Sequence, residues 1–159
     1  MTVIRLPSWR EVLEGPWALR LRAGATAAWL MRGEAEAVSE LDCRFVAGVA
    51  RQDSASLFEE FQSVLEFPDY FGHNWDAFDE CVGDLAWIDA DEIALLVLET
   101  DRVLRDDRSR WSAFVSALQA GAEQLAAEER TLRVIFQARE LPLESEAVLA
   151  EFGVAEIAA

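Results

Sequence analysis

One histidine, two cysteines and a dense run of carboxylates decide what chemistry this 159-residue chain could attempt. His73, Asp76, Asp79 and Glu80 fall within two helical turns of one another, inside the stretch Phe67 to Val82. Imidazole and carboxylates at i, i+3 and i, i+4 spacing can bind a divalent ion, although no second cluster supplies further ligands. Asp76 and Glu80 lie four apart and share a helix face, so general acid–base work is open to them if a cleft brings a substrate. Nucleophilic catalysis would have to pair Cys81 with His73, the only histidine. Cys81, however, sits on the apolar side of the pattern with Phe78 and Leu85, where a thiol is ordinarily core. A phosphate cradle is excluded, since the chain has no Lys and no glycine-rich loop after a strand. The expectation is therefore no catalytic residue, no metal and no cofactor. What remains for these acids is recognition of a cationic partner.

Composition points the same way. The formal net charge is −16 and every side-chain cation at neutral pH is an Arg. Between Gln52 and Asp101 there is no Arg or Lys, so a one-sign field centres on the carboxylate run. Such a field repels nucleic acid and anionic membranes and draws in a basic protein. With 52% hydrophobic residues the chain is expected to pack a core rather than form an acidic tail. Cys43 and Cys81 are too few for a disulfide framework and no signal-peptide pattern is evident, so a reducing cytoplasm is expected. The longest apolar run, Ala23–Met31, is too short to span a membrane.

The elements that must position the acids follow from periodicity. Pro68 and Gly72 read as turn residues, with Gly72 allowing a backbone shape that others resist. Asn74 is the expected N-cap of a helix running to about Leu85, with Trp75, Phe78, Cys81, Val82 and Leu85 on its buried face. Tyr70 suits either packing or a partner. Ser56-Leu-Phe-Glu59 resembles a capping box, opening a helix that stops at Pro68. Cys43–Ala50, Ile93–Leu98 and Leu132–Phe136 read as strands, and a helix capped by Ser109 or Asp107 runs to about Ala127. The order β-α-α-β-α-β implies parallel strands with right-handed crossovers under helices, an α/β fold.

The first forty residues are less legible. Thr2–Leu6 suits a short strand, Ser8 opens a brief helix, and Trp17–Arg22 alternates like a half-buried strand. Thr26–Met31 suits either a strand paired to it across Ala23-Gly24-Ala25 or a helix, and Glu34–Glu40 reads weakly as helix. The expected organisation is an N-terminal extension at 1–41, holding an extra β-hairpin or a small α+β unit. An α/β domain at 42–138 and a C-terminal segment at 139–159, helical over Glu144–Phe152, complete it.

The stretch Pro68-Asp-Tyr-Phe-Gly-His-Asn-Trp-Asp-Ala-Phe-Asp-Glu-Cys81 resembles the signature of the barstar family, intracellular protein inhibitors of barnase-type ribonucleases. The resemblance covers roughly Cys43 to Gln137 and implies a three-stranded parallel sheet covered by helices. It implies a non-enzymatic protein whose partner is a basic ribonuclease, or a ribonuclease toxin for which this chain is the immunity protein. It implies that the loop and second helix plug the nuclease active site, with Tyr70, Asn74, Asp76 and Glu80 at the contact positions. Gly72, His73, Asp79, Asp84 and Trp87 complete the candidate surface. The family pattern has Asp where this chain has Glu80, one methylene longer, and Gly-Trp where it has Asp84-Leu85. Trp87, in a longer following loop, is expected to replace that tryptophan, and Glu123 is a candidate for a later-helix contact. Two alternatives stand beside this reading: an acidic interaction domain with a non-nuclease partner, and a carboxylate- or metal-dependent enzyme.

Overall fold

The computed structural model describes residues 5–48 and 52–157. Its frame is an all-parallel sheet of five strands, β1 (Ala18–Leu21), β2 (Leu41–Ala47), β3 (Glu92–Leu98), β4 (Thr131–Gln137) and β5 (Ala155–Ile157). Their order is β2-β3-β4-β1-β5. Among the described residues, helix α1 (Trp9–Glu14) precedes β1, and α2 (Ala25–Ala35), α3 (Ser54–Val64), α4 (Trp75–Asp84), α5 (Trp111–Ala127) and α6 (Leu143–Glu151) lie in the connections. The α/β class holds, but the sheet has five strands rather than three.

The reason for the larger fold is written in β3. Its residues from Ile93 to Val97 are all fully buried, and successive side chains of a strand point to opposite faces. Ile93, Leu95 and Val97 join Phe61, Phe78, Phe114 and Leu149 in the main core, under α3 to α6. Ala94 and Leu96 face the other way, against Trp9 and Val12 of α1 and Met31 and Ala35 of α2. A parallel sheet that is apolar on both faces needs both covered. The N-terminal segment supplies the second cover.

That segment corrects the hairpin expectation. β1 is flanked by β4 on one side and β5 on the other, both parallel, so no edge is left for an antiparallel partner. Thr26–Met31 lies within α2, which ends at Ala35, and residues 36–40 form turns instead of the weak helix. The alternation of Trp17–Arg22 suggested a half-buried strand, yet interior placement buries Arg20 to 4% exposure. Its Nη1 donates to Leu21 O at 2.9 Å and Ala138 O at 2.6 Å. Of the Thr2–Leu6 strand, residues 2–4 lie outside the described residues, and Arg5 and Leu6 have no regular structure. Val49 and Ala50, the end of the expected first strand of the α/β domain, also lie outside them.

Helix starts differ in detail. Ser8 Oγ accepts from Glu11 N as expected. For α3 the cap is Asp53, whose carboxylate accepts from Ser56 N at 2.8 Å, three residues before the box expected at Ser56. Neither Asp107 nor Ser109 caps α5, which grows from a 3-10 turn at Arg108–Arg110. Instead Asp107 accepts from Ser54 and Ser109 hydroxyls. Among the described residues no helix is long and apolar enough to cross a membrane.

Candidate functional site

The acids of α4 stand on one ridge. Asp76, Glu80 and Asp84 are successive i, i+4 positions, with Asp79 beside them, and all four are exposed. The opposite face carries Phe78, Cys81, Val82 and Gly83, all buried against the core. Close approach of α5 makes that burial complete. A Cβ on Gly121 would lie 2.5 Å from Val82 Cγ1 and 3.1 Å from Val82 O, and one on Gly83 would meet Gln124. Glu123 is exposed on α5, next to that Gln124.

The loop before α4 is fixed by its aromatic residues. Phe67 and Phe71 are buried and meet at 4.9 Å between ring centroids, and Phe71 also packs on Phe58. Trp75 packs on Phe58 at 4.9 Å and on Phe78 at 5.5 Å, the core role expected for it. Tyr70, between these anchors, is 75% exposed. Packing of its neighbours thus leaves the one tyrosine facing outward on the loop that leads into α4.

The residues at the helix start serve geometry. Asn74 is the N-cap: its Oδ1 accepts from Ala77 N at 2.8 Å, and its Nδ2 donates to Gly72 O at 3.3 Å. The left-handed backbone position is His73, at φ 50°, not Gly72 as the turn chemistry suggested. His73 Nε2 donates to Gln62 Oε1 at 2.7 Å and its ring packs on Phe71, so the strained residue is tied to α3. A Cβ on Gly72 would come within 3.1 Å of Asn74 Nδ2, which places the glycine's constraint in the cap and not in φ.

Behind α4, Leu85 closes the helix in the left-handed conformation and residues 86–91 form the loop. Trp87 is half-buried there. Its indole N–H donates to Leu65 O at 2.7 Å and its ring stands edge-on to Phe67. Sequence reasoning missed what holds this loop from below. Arg130, from the turn after α5, donates to the carbonyls of Asp84, Ile88 and Ala90. A lone Arg after a helix carries no pattern that announces such a clamp.

Electrostatics bear on the other chemistries weighed for this surface. Burial, reinforced by Glu80 and Asp84, pushes the Cys81 thiol above its ordinary range, and burial pushes Cys43 up to about 11. A nucleophilic cysteine needs the opposite shift. Among the described residues no group of three or more His, Cys, Asp or Glu side chains is arranged to hold a metal ion. Nor do Asp76, Asp79, Glu80 and Asp84 form an ion pair among them: the arginines of the described pairs are Arg5, Arg10, Arg20, Arg22 and Arg44.

A family model described as Barstar (barnase inhibitor) matches residues 41–137, more than half of the chain. The match spans β2 through β4 and therefore the whole acidic ridge and its loop. No curated protein matches the chain.

Proposed function

The chain belongs to the barstar family, and from that premise we propose that it inhibits a basic, barnase-type ribonuclease by seating the 68–74 loop and α4 in the enzyme's active site. A ribonuclease must hold phosphates, so its site presents cationic side chains. Asp76, Asp79 and Glu80 occupy the positions of those phosphates without offering a bond to cleave. Tyr70 supplies the aromatic contact, and Asn74 with Gly72 and His73 fixes the angle at which the ridge is delivered. Asp84 and Trp87 flank it. Because the Trp87 indole N–H is engaged with Leu65, the exposed part of its ring is what it offers a partner.

The observation that carries this reading is the unpaired acidic ridge of α4, with an outward tyrosine on the loop that leads into it. Like charges at i, i+4 cost an isolated helix a few tenths of a kcal/mol. A cationic partner turns that cost into attraction, first accelerating the encounter and then holding the complex through desolvated pairs. The target is a nuclease the cell secretes or a nuclease toxin, with this chain as its cytoplasmic immunity protein; either presents the same cationic site.

The test is inhibition of a barnase-type enzyme by wild type, Asp76→Ala and Glu80→Ala. Each substitution at a central contact is expected to weaken inhibition by about 2 kcal/mol or more, roughly thirtyfold. Stability should stay within about 0.5 kcal/mol, since both side chains are exposed and unpaired. Binding that survives both changes intact would remove α4 from the interface.

A further inference from the structure

Among the described residues the sheet ends on β2, seven residues long and bonded there to β3 alone. In a parallel strand, alternate residues turn their N–H and C=O to one neighbour and the rest turn away. Gly48 N donates to Leu98 O, so the even-numbered residues face β3 and the odd-numbered ones face outward. The ends of this outer side are blunted. Ala47 N donates to Glu60 Oε2 at 2.8 Å, and Leu41 N donates to Val38 O at 3.4 Å. The backbone groups of Cys43 and Phe45 remain directed away from the sheet, a template for another strand.

The five residues around that opening are self-complementary. Leu41-Asp42-Cys43-Arg44-Phe45, reversed about Cys43, sets apolar Leu41 against Phe45 and acidic Asp42 against basic Arg44. Both charged side chains are already ordered. Arg44 makes two bonds of 2.9 Å to Asp42 and is braced by Val64 O and Glu66. On the other face Phe45 is widened by Trp29, which is 54% exposed and packs edge-on to it at 4.5 Å. Arg32 lies over the same Phe45 ring at 4.7 Å.

We propose that β2 is a self-association edge, at which two copies of this chain pair antiparallel about a two-fold axis at Cys43. The Cys43 backbone then exchanges hydrogen bonds with that of Cys43 in the second copy, Phe45 N donates to Leu41 O, and each Asp42 lies opposite an Arg44 in the close, non-hydrogen-bonded position. A two-fold axis at Arg44 would set the two guanidinium groups against each other, and one at Phe45 would leave Arg44 opposite Val46. The charge pattern therefore selects a single register and a second copy as occupant. This goes beyond the inhibitor reading and does not depend on it.

Sedimentation velocity on the full chain over a concentration series is the test. Wild type is expected to dimerise with rising concentration. Arg44→Asp and Asp42→Arg each create two like-charged cross-strand pairs and should weaken the dimer about tenfold. A one-to-one mixture of the two variants restores both opposite-charge pairs and should recover dimerisation. Should either variant fold poorly by circular dichroism, amide exchange on wild type decides: the Cys43 and Phe45 amides should slow as concentration rises. A wild type monomeric throughout, an unchanged exchange rate at β2, or a mixture of folded variants no stronger than its components would overturn the proposal.

Discussion

Tyr70 and Phe71 are neighbours in sequence and opposite in environment, one exposed and one buried. Their substitutions should separate recognition from folding. Tyr70→Ala is expected to leave the melting curve nearly unchanged while weakening inhibition by about 2 kcal/mol. Phe71→Ala should cost about 3–5 kcal/mol of stability by emptying a core site; denaturant melts read both. The two cysteines make a second residue-scale prediction. With burial and the flanking Glu80 and Asp84 holding the Cys81 thiol protonated, native protein should react with a thiol reagent at neutral pH far more slowly than unfolded protein. The side chains facing outward on α4 were legible from spacing alone, because one helical face must be apolar and these were not. The left-handed turn was not legible. His73 adopts it because Gln62, across on α3, and the buried Phe71 hold the ring; a reading by residue type assigns such a turn to Gly72.

At the scale of elements, α4 is presented by α5 and by the clamp beneath its following loop. Gly121→Ala would gain about 1 kcal/mol of helix propensity but force a methyl group against the Val82 backbone. Overpacking of that kind costs about 1–3 kcal/mol, so net destabilisation is expected in chemical denaturation. Arg130→Ala should free three carbonyls and speed amide exchange across residues 84–90, with little change in the exchange of β3. The strongly periodic or fully apolar elements, α4, α5 and β3, were among those the sequence disclosed, with α1, α3, α6, β1, β2 and β4 read within a few residues of their bounds. α2 was ambiguous for a physical reason: Ala28, Met31 and Ala35 are buried at helical spacing, but exposed Trp29 and Leu30 fill the gap and make the run look continuous. β5 is three residues long with two of them exposed, too short for any period to show.

The whole molecule joins two requirements, a sheet apolar on both faces and a surface acidic around α4. The first explains the N-terminal segment. Deleting residues 1–37 would uncover Ala94, Leu96 and Ile135, and the remaining chain is expected to aggregate or lose its cooperative melt. The second makes association steerable: the rate of complex formation with a basic nuclease should fall steeply as salt rises, while the dissociation rate changes much less. Whether the ridge and Tyr70 occupy a ribonuclease active site is read most directly by titrating a barnase-type ribonuclease with the full chain. RNA cleavage should fall to a one-to-one endpoint, and that inhibition should be abolished when Asp76 and Glu80 are both replaced by Ala. Cleavage that continues at full rate with wild type in excess, or inhibition untouched by the double replacement, would contradict it.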